Sequence, residues 1–218
     1  MMELSRKLDR LVHIYERYAK KVLVFQEAAV CKVGCSFCCT HYGNLDITTM
    51  EGLSIRRVVE RFAQPQQIRI RKAAARNKKR KENRKPAECP FLSPEKSCVI
   101  YENRPLSCRQ LYSVKVCESS GPGPMLHRQA VAITRQYVKK MQQLDPTGYS
   151  GHLTYILHLL GRPEFRSIYL SGGYSPQRIT GFGKSHGILI NRVVSQNETG
   201  TNIHHRQASH SNRNGAKT

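Results

Sequence analysis

Eight cysteines stand in this 218-residue chain, and the first four fall within nine positions. Cys31, Cys35, Cys38 and Cys39 form the dense run; Cys89, Cys98, Cys108 and Cys117 follow at wider intervals. The amino end, MMELSRKLDR, has no long apolar stretch after its basic residues, so no secretory signal is expected. No segment is long and apolar enough to cross a bilayer. The expected compartment is the cytoplasm, where structural disulfides are uncommon, and metal ligation then accounts for so many thiols. Thiolates are soft ligands for iron–sulfur clusters and for zinc. Buried free thiols are the competing account. That account suits Cys117 alone, but not four cysteines crowded beside Gly34 and Lys32. Adjacent Cys38 and Cys39 are awkward ligands for a single ion. One is expected to face the centre and the other a second metal or a bridging position.

The rest of the chain reads as helices around this feature. Over residues 3–27, Leu4, Leu8, Leu11, Val12, Tyr15, Ala19, Val22 and Leu23 recur at helical spacing. The Cys- and Gly-rich stretch from Cys31 to Asn44 suits a tight loop. Thr48 and Glu51 have capping-box spacing and open a helix that runs towards Pro65, with Gly52 weakening its first turn. Residues 66–85 are predicted helical and exposed, being rich in Ala, Arg, Lys and Gln. Loops are expected from Cys89 to Cys117, around Pro90, Pro94 and Pro105, and then a Gly/Pro linker at 119–124. A helix over Met125–Leu144 would turn Ala130, Ile133, Tyr137, Met141 and Leu144 inward. A short apolar helix, His152–Leu160, stops at Gly161 and Pro163. Beyond it, Ser171–Gly173 reads as a turn, Gly187–Ile190 as a short strand or partner patch, and the tail from Ser195 as disordered.

The expected fold class is therefore mainly α: a small irregular Cys-rich metal-binding knot flanked by helices, with a disordered C-terminal tail. Residues 1–163 would form the cysteine-cluster domain, carrying a basic helical insertion at 66–85. Residues 164–218 would be a weakly structured extension and tail.

Charge adds a second theme. Lys and Arg outnumber Asp and Glu by 36 to 15, a formal net charge of +21. Arg69, Arg71, Lys72, Arg76, Lys78, Lys79, Arg80, Lys81, Arg84 and Lys85 are opposed only by Glu82 within Arg69–Lys85. Such a run can contact phosphates with little sequence preference. It lacks the interleaved aromatics of strand-stacking proteins. A solvated helix is the plainer account.

Cys31, Cys35 and Cys38, with Phe37 before the last, have the spacing of the cluster motif of radical S-adenosylmethionine enzymes. Those enzymes are built on full or partial β/α barrels, and the regular strands a barrel needs are missing after the motif. A wider pattern matches better. Cys35-Ser36-Phe37-Cys38-Cys39 is followed by Cys89-Pro90-Phe91-Leu92, by Cys98-Val99-Ile100-Tyr101, and by Arg104-Pro105-Leu106-Ser107-Cys108-Arg109. Over residues 31–109 this resembles the YkgJ-like cysteine-cluster family, described as zinc- or iron-chelating. The resemblance implies metal ligands at Cys31, Cys35, Cys38, Cys39, Cys89, Cys98 and Cys108, with an iron–sulfur cluster or Fe/Zn ions as the cofactor. Cys117 lies outside the pattern, and His41 is a reserve ligand. Arg104 and Arg109 would either offset a negative thiolate centre or form salt bridges with Glu88, Glu95 or Glu102. Tyr101 is expected to pack near the site. His204, His205 and His210 in the tail are taken as incidental.

A metal-binding protein with a redox or structural role is the leading reading. The cysteine knot is also similar to one in flagellin lysine methylases, which implies an alternative: an S-adenosylmethionine-dependent protein methyltransferase or an oxidoreductase. No Gly-rich cofactor loop after a strand supports it. A basic nucleic-acid-associated protein, acting through residues 69–85, is the third reading. No membrane partner is expected.

Overall fold

The computed structural model describes residues 2–32, 34–42, 45–83, 85–118, 123–173 and 192–193. The elements run α1 (Met2–Glu27), β1 (Asp46–Thr48), α2 (Thr49–Val59), α3 (Gln64–Glu82), α4 (Leu106–Arg109), α5 (Arg128–Leu144), β2 (Tyr149–His152), α6 (Leu153–Gly161), α7 (Pro163–Leu170) and β3 (Arg192–Val193). A π-helical turn covers Cys38–Tyr42, and a 3-10 turn covers Tyr101–Asn103. The fold is mainly helical. Among the described residues, no helix is long and apolar enough to cross a membrane.

Helix α6 sits at the centre. Leu153, Thr154, Tyr155, Ile156, Leu159 and Leu160 are all buried, so it is enclosed on most of its circumference. Its close approach to α2 depends on Gly52. A Cβ there would stand 2.6 Å from Leu160 Cδ1 and 2.9 Å from Ile156 Cγ2. The glycine that costs α2 helical propensity thus lets two helices touch. Packing carries past residue 163, since Phe165 and Tyr169 of α7 are buried in the same core.

Helix α1 lies along α5 and shows a narrower stripe than its sequence suggests. Leu8, Leu11, Tyr18 and Val22 are buried, whereas Val12 is 52% and Leu23 51% exposed. Spacings of three and four residues from Leu8 reach Leu11, Tyr15, Tyr18 and Val22; Val12 and Leu23 fall to one side. Tyr18 is held by a 2.9 Å hydrogen bond to Thr134 and an edge-on contact with the Tyr137 ring.

Two features depart from the helical expectation. The three short strands form an antiparallel sheet in the order β1-β2-β3, with Ile47 opposite Gly151 and Ser150 opposite Arg192. Helix α3 is not wholly exposed, for Ile70 and Asn77 are buried. Asn77 bridges the backbone carbonyl of Glu88 (2.7 Å) and the Thr154 hydroxyl (3.3 Å). The basic helix is thereby pinned between α6 and the loop before Cys89. Gly187–Ile190, Arg84, most of the 119–124 linker and the tail from Ser195, with His204, His205 and His210, lie outside the described residues.

Candidate metal centre

Each cysteine is positioned by local backbone chemistry. Gly34, at φ +87°, turns the chain after Cys31, and the Cys35 N–H closes the turn on the Lys32 carbonyl at 3.0 Å. The Cys39 and Thr40 N–H groups then both donate to the Ser36 carbonyl, at 2.9 and 3.0 Å, leading into the π turn that presents Cys38 and Cys39. Further along, Phe91 and Val99 pair across a tight loop (Val99 N–H to Phe91 carbonyl, 3.0 Å). Ser93 and Ser97 close it through backbone and hydroxyl bonds. This loop folds Cys98 back towards Cys89. Cys108 sits on the single turn of α4, with Pro105 at its N-cap.

Long-range bonds gather these pieces. The Cys89 N–H donates to the Cys39 carbonyl at 2.7 Å, joining the two cysteine runs directly. The Cys89 thiol also hydrogen-bonds to the Cys39 sulfur. The Ser113 N–H donates to the Cys31 sulfur at 3.3 Å, and the Val30 N–H to the Ser113 carbonyl at 2.9 Å. That strip brings the segment leading to Cys117 alongside Cys31. Ser113 pairs on its other side with Leu126.

The thiols interact electrostatically in two overlapping sets. Cys39 is grouped with Cys89, Cys98 and Cys108. Cys38 is grouped first with Cys117 and Cys31, then with Cys39 and Cys108. All eight cysteines are free; Cys35 is exposed and the others are half-buried. Among the described residues, no three His, Cys, Asp or Glu side chains converge on one point as a metal's ligands would.

The model of one family, described as "CxxCxxCC: Putative zinc- or iron-chelating domain", matches residues 30–143. The chain belongs to this family. No curated protein and no solved structure matches it.

Electrostatics in this CxxCxxCC domain favour positive charge beside sulfur. Burial pushes the Cys38 and Cys108 thiols up to about 12, and raises Cys98 as well. In the Cys39–Cys89 pair, the shared hydrogen bond lowers Cys39 and raises Cys89. The Arg104 charge pulls Cys39, Cys98 and Cys108 downward, and Arg109 acts on Cys108. Among the described residues, neither arginine pairs with a carboxylate. Glu88 pairs with Lys96 at 3.3 Å, and Arg109 instead donates to the Arg104 and Glu102 carbonyls. Tyr101 is exposed and lies under the Arg104 guanidinium, 3.5 Å from ring centre to charge. His41 stacks on Phe37, with its Nδ1 2.6 Å from the Thr40 hydroxyl.

One residue of the CxxCxxCC domain was assigned only a helix cap by its sequence and does much more. Glu51 is 2% exposed. One carboxylate oxygen accepts from the Thr48 N–H (2.8 Å) and the Thr48 hydroxyl (3.1 Å). The other accepts from the Tyr15 hydroxyl (2.8 Å) and the Leu106 N–H (2.7 Å). Leu106 opens the turn that carries Cys108, and the Tyr15 ring also lies 4.6 Å from the Arg109 charge. A buried carboxylate thus ties α1, α2 and the third cysteine segment together. Burial raises its pKa against the pull of four hydrogen bonds. The capping-box spacing shows the Thr48 bonds; nothing local announces the bond to Leu106, 55 residues away.

Proposed function

We propose that the protein binds metal through cysteine thiolates, as an iron–sulfur or iron/zinc centre with a redox or structural role. The proposed ligands are Cys31, Cys35, Cys38, Cys39, Cys89, Cys98 and Cys108. The observation that carries the reading is the direct joining of the two cysteine runs at Cys39 and Cys89, fifty residues apart, with all the thiols free. By residue type the donors suit the group. Cys39, Cys89, Cys98 and Cys108 supply four sulfurs, a complete set for one tetrahedral ion or for the corners of a cluster. Cys31, Cys35 and Cys38 supply three more, and Cys117 can complete a second four. Metal binding takes protons from thiols that burial otherwise keeps neutral, so occupancy rises with pH. Arg104 and Arg109 offset part of the negative charge that several thiolates bring.

The test is anaerobic purification followed by iron, zinc and acid-labile sulfide analysis, with Mössbauer and paramagnetic resonance spectroscopy. Iron with sulfide is expected. Stoichiometric zinc without sulfide would replace the cluster by a zinc centre, and absence of any bound metal would overturn the reading.

A second reading rests on α3. Arg71, Lys72, Arg76, Lys79 and Arg80 are exposed along it, while Glu82 is engaged by Lys78 at 2.6 Å. This favours weak, salt-sensitive contact with nucleic acid of mixed sequence. Negligible affinity for both RNA and DNA at low salt would remove it.

A further inference from the structure

On the side of α6 facing α2 and α3 lies a groove of about 530 Å³. That is within the range of pockets that hold small organic molecules, roughly 300–1,000 Å³. Its floor is apolar: half-buried Val59 and Leu157 line it together with the buried Ile55, Ile70, Phe91 and Leu160. Helix α3 can border it closely because it presents Ala74 and Ala75 there. The rim is cationic. Arg56, Arg71, Lys78 and Arg162 line the groove, with His158, and Glu60 is the only carboxylate among the described lining residues. Arg56 holds Glu60 at 2.8 Å and Lys78 holds Glu82 at 2.6 Å. Arg71 is exposed and bonds to the neutral amide of Gln67 at 3.2 Å. The groove therefore keeps a net positive edge above an apolar floor.

We infer that this groove binds a small anionic amphiphile, a molecule with a carboxylate or similar head and an extended apolar body. The apolar body would cover the floor between α2, α3 and α6, and the head would lie at the Arg71 side of the rim. A cationic head would be repelled by the same rim, and a fully polar anion would leave the floor wet. This site shares a wall with the cysteine region, because Phe91 lies in the floor two residues after Cys89. The inference itself does not depend on metal being bound.

The probe is dodecanoate below its micelle concentration, titrated into the full chain as purified, with binding followed by calorimetry and by methyl NMR of the Ile and Leu residues. One-to-one binding is expected, with the largest shift at Leu157 and smaller ones at Ile55 and Ile70. Affinity should rise about two- to fourfold for each methylene from octanoate to dodecanoate, as burial of chain requires. Dodecyltrimethylammonium should not compete. Arg71→Glu, a change at an exposed position, should weaken dodecanoate at least tenfold, and Ala75→Phe should block the groove while leaving the circular dichroism spectrum unchanged. Equal binding of the cationic and anionic detergents, shifts scattered away from the groove, or undiminished affinity in both variants would overturn the proposal. So would saturable binding of an acidic amphipathic helix with no response to dodecanoate, which would make the groove a protein-docking surface.

Discussion

Helix α6 is buried on most sides and is met by α2, α3, α7 and the sheet, whereas between Cys89 and Cys117 the longest regular piece is the four-residue α4. The first region is held by apolar contact. Its closeness is visible at Gly52, where not even a methyl group fits without a shift. The second is held by individual hydrogen bonds, by a few side chains leaning on the core, and by the proximity of its thiols. Cys89, Cys98 and Cys108 are half-buried against the core. Phe91, Leu92, Ile100 and Leu106 anchor this stretch in the core at four points, but the backbone between them, with almost no regular structure, has little free energy of its own with which to offset chain entropy. Metal bound there would contribute folding free energy directly, as it does in small metal-dependent domains. Glu51 is the mechanical link between the two, since its carboxylate holds both α2 and the turn bearing Cys108.

Breaking that link should have the largest effect. Glu51→Ala strands the Tyr15 hydroxyl and the Leu106 N–H in a buried setting. Urea denaturation should show a loss of about 3–5 kcal/mol, in the range for removing one side of a buried charged network. Glu51→Gln would spare little, because its amide NH₂ must face one of two donor pairs. A loss below 1 kcal/mol would mean the two regions are not joined here.

Next comes Arg104→Ala. It removes the positive charge acting on Cys39, Cys98 and Cys108 while leaving the α6 core intact. Metal affinity should fall about ten- to a hundredfold, the usual cost of losing a group that supports metal ligands. Competition with a chromophoric chelator measures this. Unchanged affinity would assign Arg104 to the Tyr101 contact alone.

Two smaller changes act on α2. Gly52→Ala gains about 1 kcal/mol of helix propensity but must push Leu160 and Ile156 aside. Overpacking costs typically 1–3 kcal/mol, so a net loss of about 1–2 kcal/mol is expected in thermal or urea unfolding. Metal content should not change. A gain in stability would show that α2 and α6 can part at little cost. Thr48→Ala removes the side-chain cap of α2 and should cost about 1 kcal/mol by the same assay.

What was legible in the sequence follows the same division. The cysteine set, the Thr48/Glu51 cap, the inner face of α5 and the apolar α6 all carry strong local signals, and the structure has them. The small sheet was not legible, because strands of two to four residues with polar members such as Asp46, Ser150 and His152 are too short to show alternation. The inner face of α1 was drawn too widely, since two apolar residues beside the stripe look equivalent until the angle at which α5 crosses is known. The charge of helix α3 conceals the two positions, Ile70 and Asn77, that dock it. At the candidate centre, residue types name the candidate donors. Their gathering depends on bonds between distant segments, Cys39 to Cys89 and Ser113 to Cys31, which no local pattern encodes.

The most direct test is hydrogen exchange on anaerobically reduced protein, metal-loaded and then stripped by a chelator. The amides of Cys89, Leu92, Val99 and Cys108 should lose protection on stripping, while those of α5 and α6 keep theirs. Exchange that is indifferent to metal at all these amides, or that rises equally in both regions, would contradict a centre built from the two cysteine runs that stabilises chiefly the loops around it.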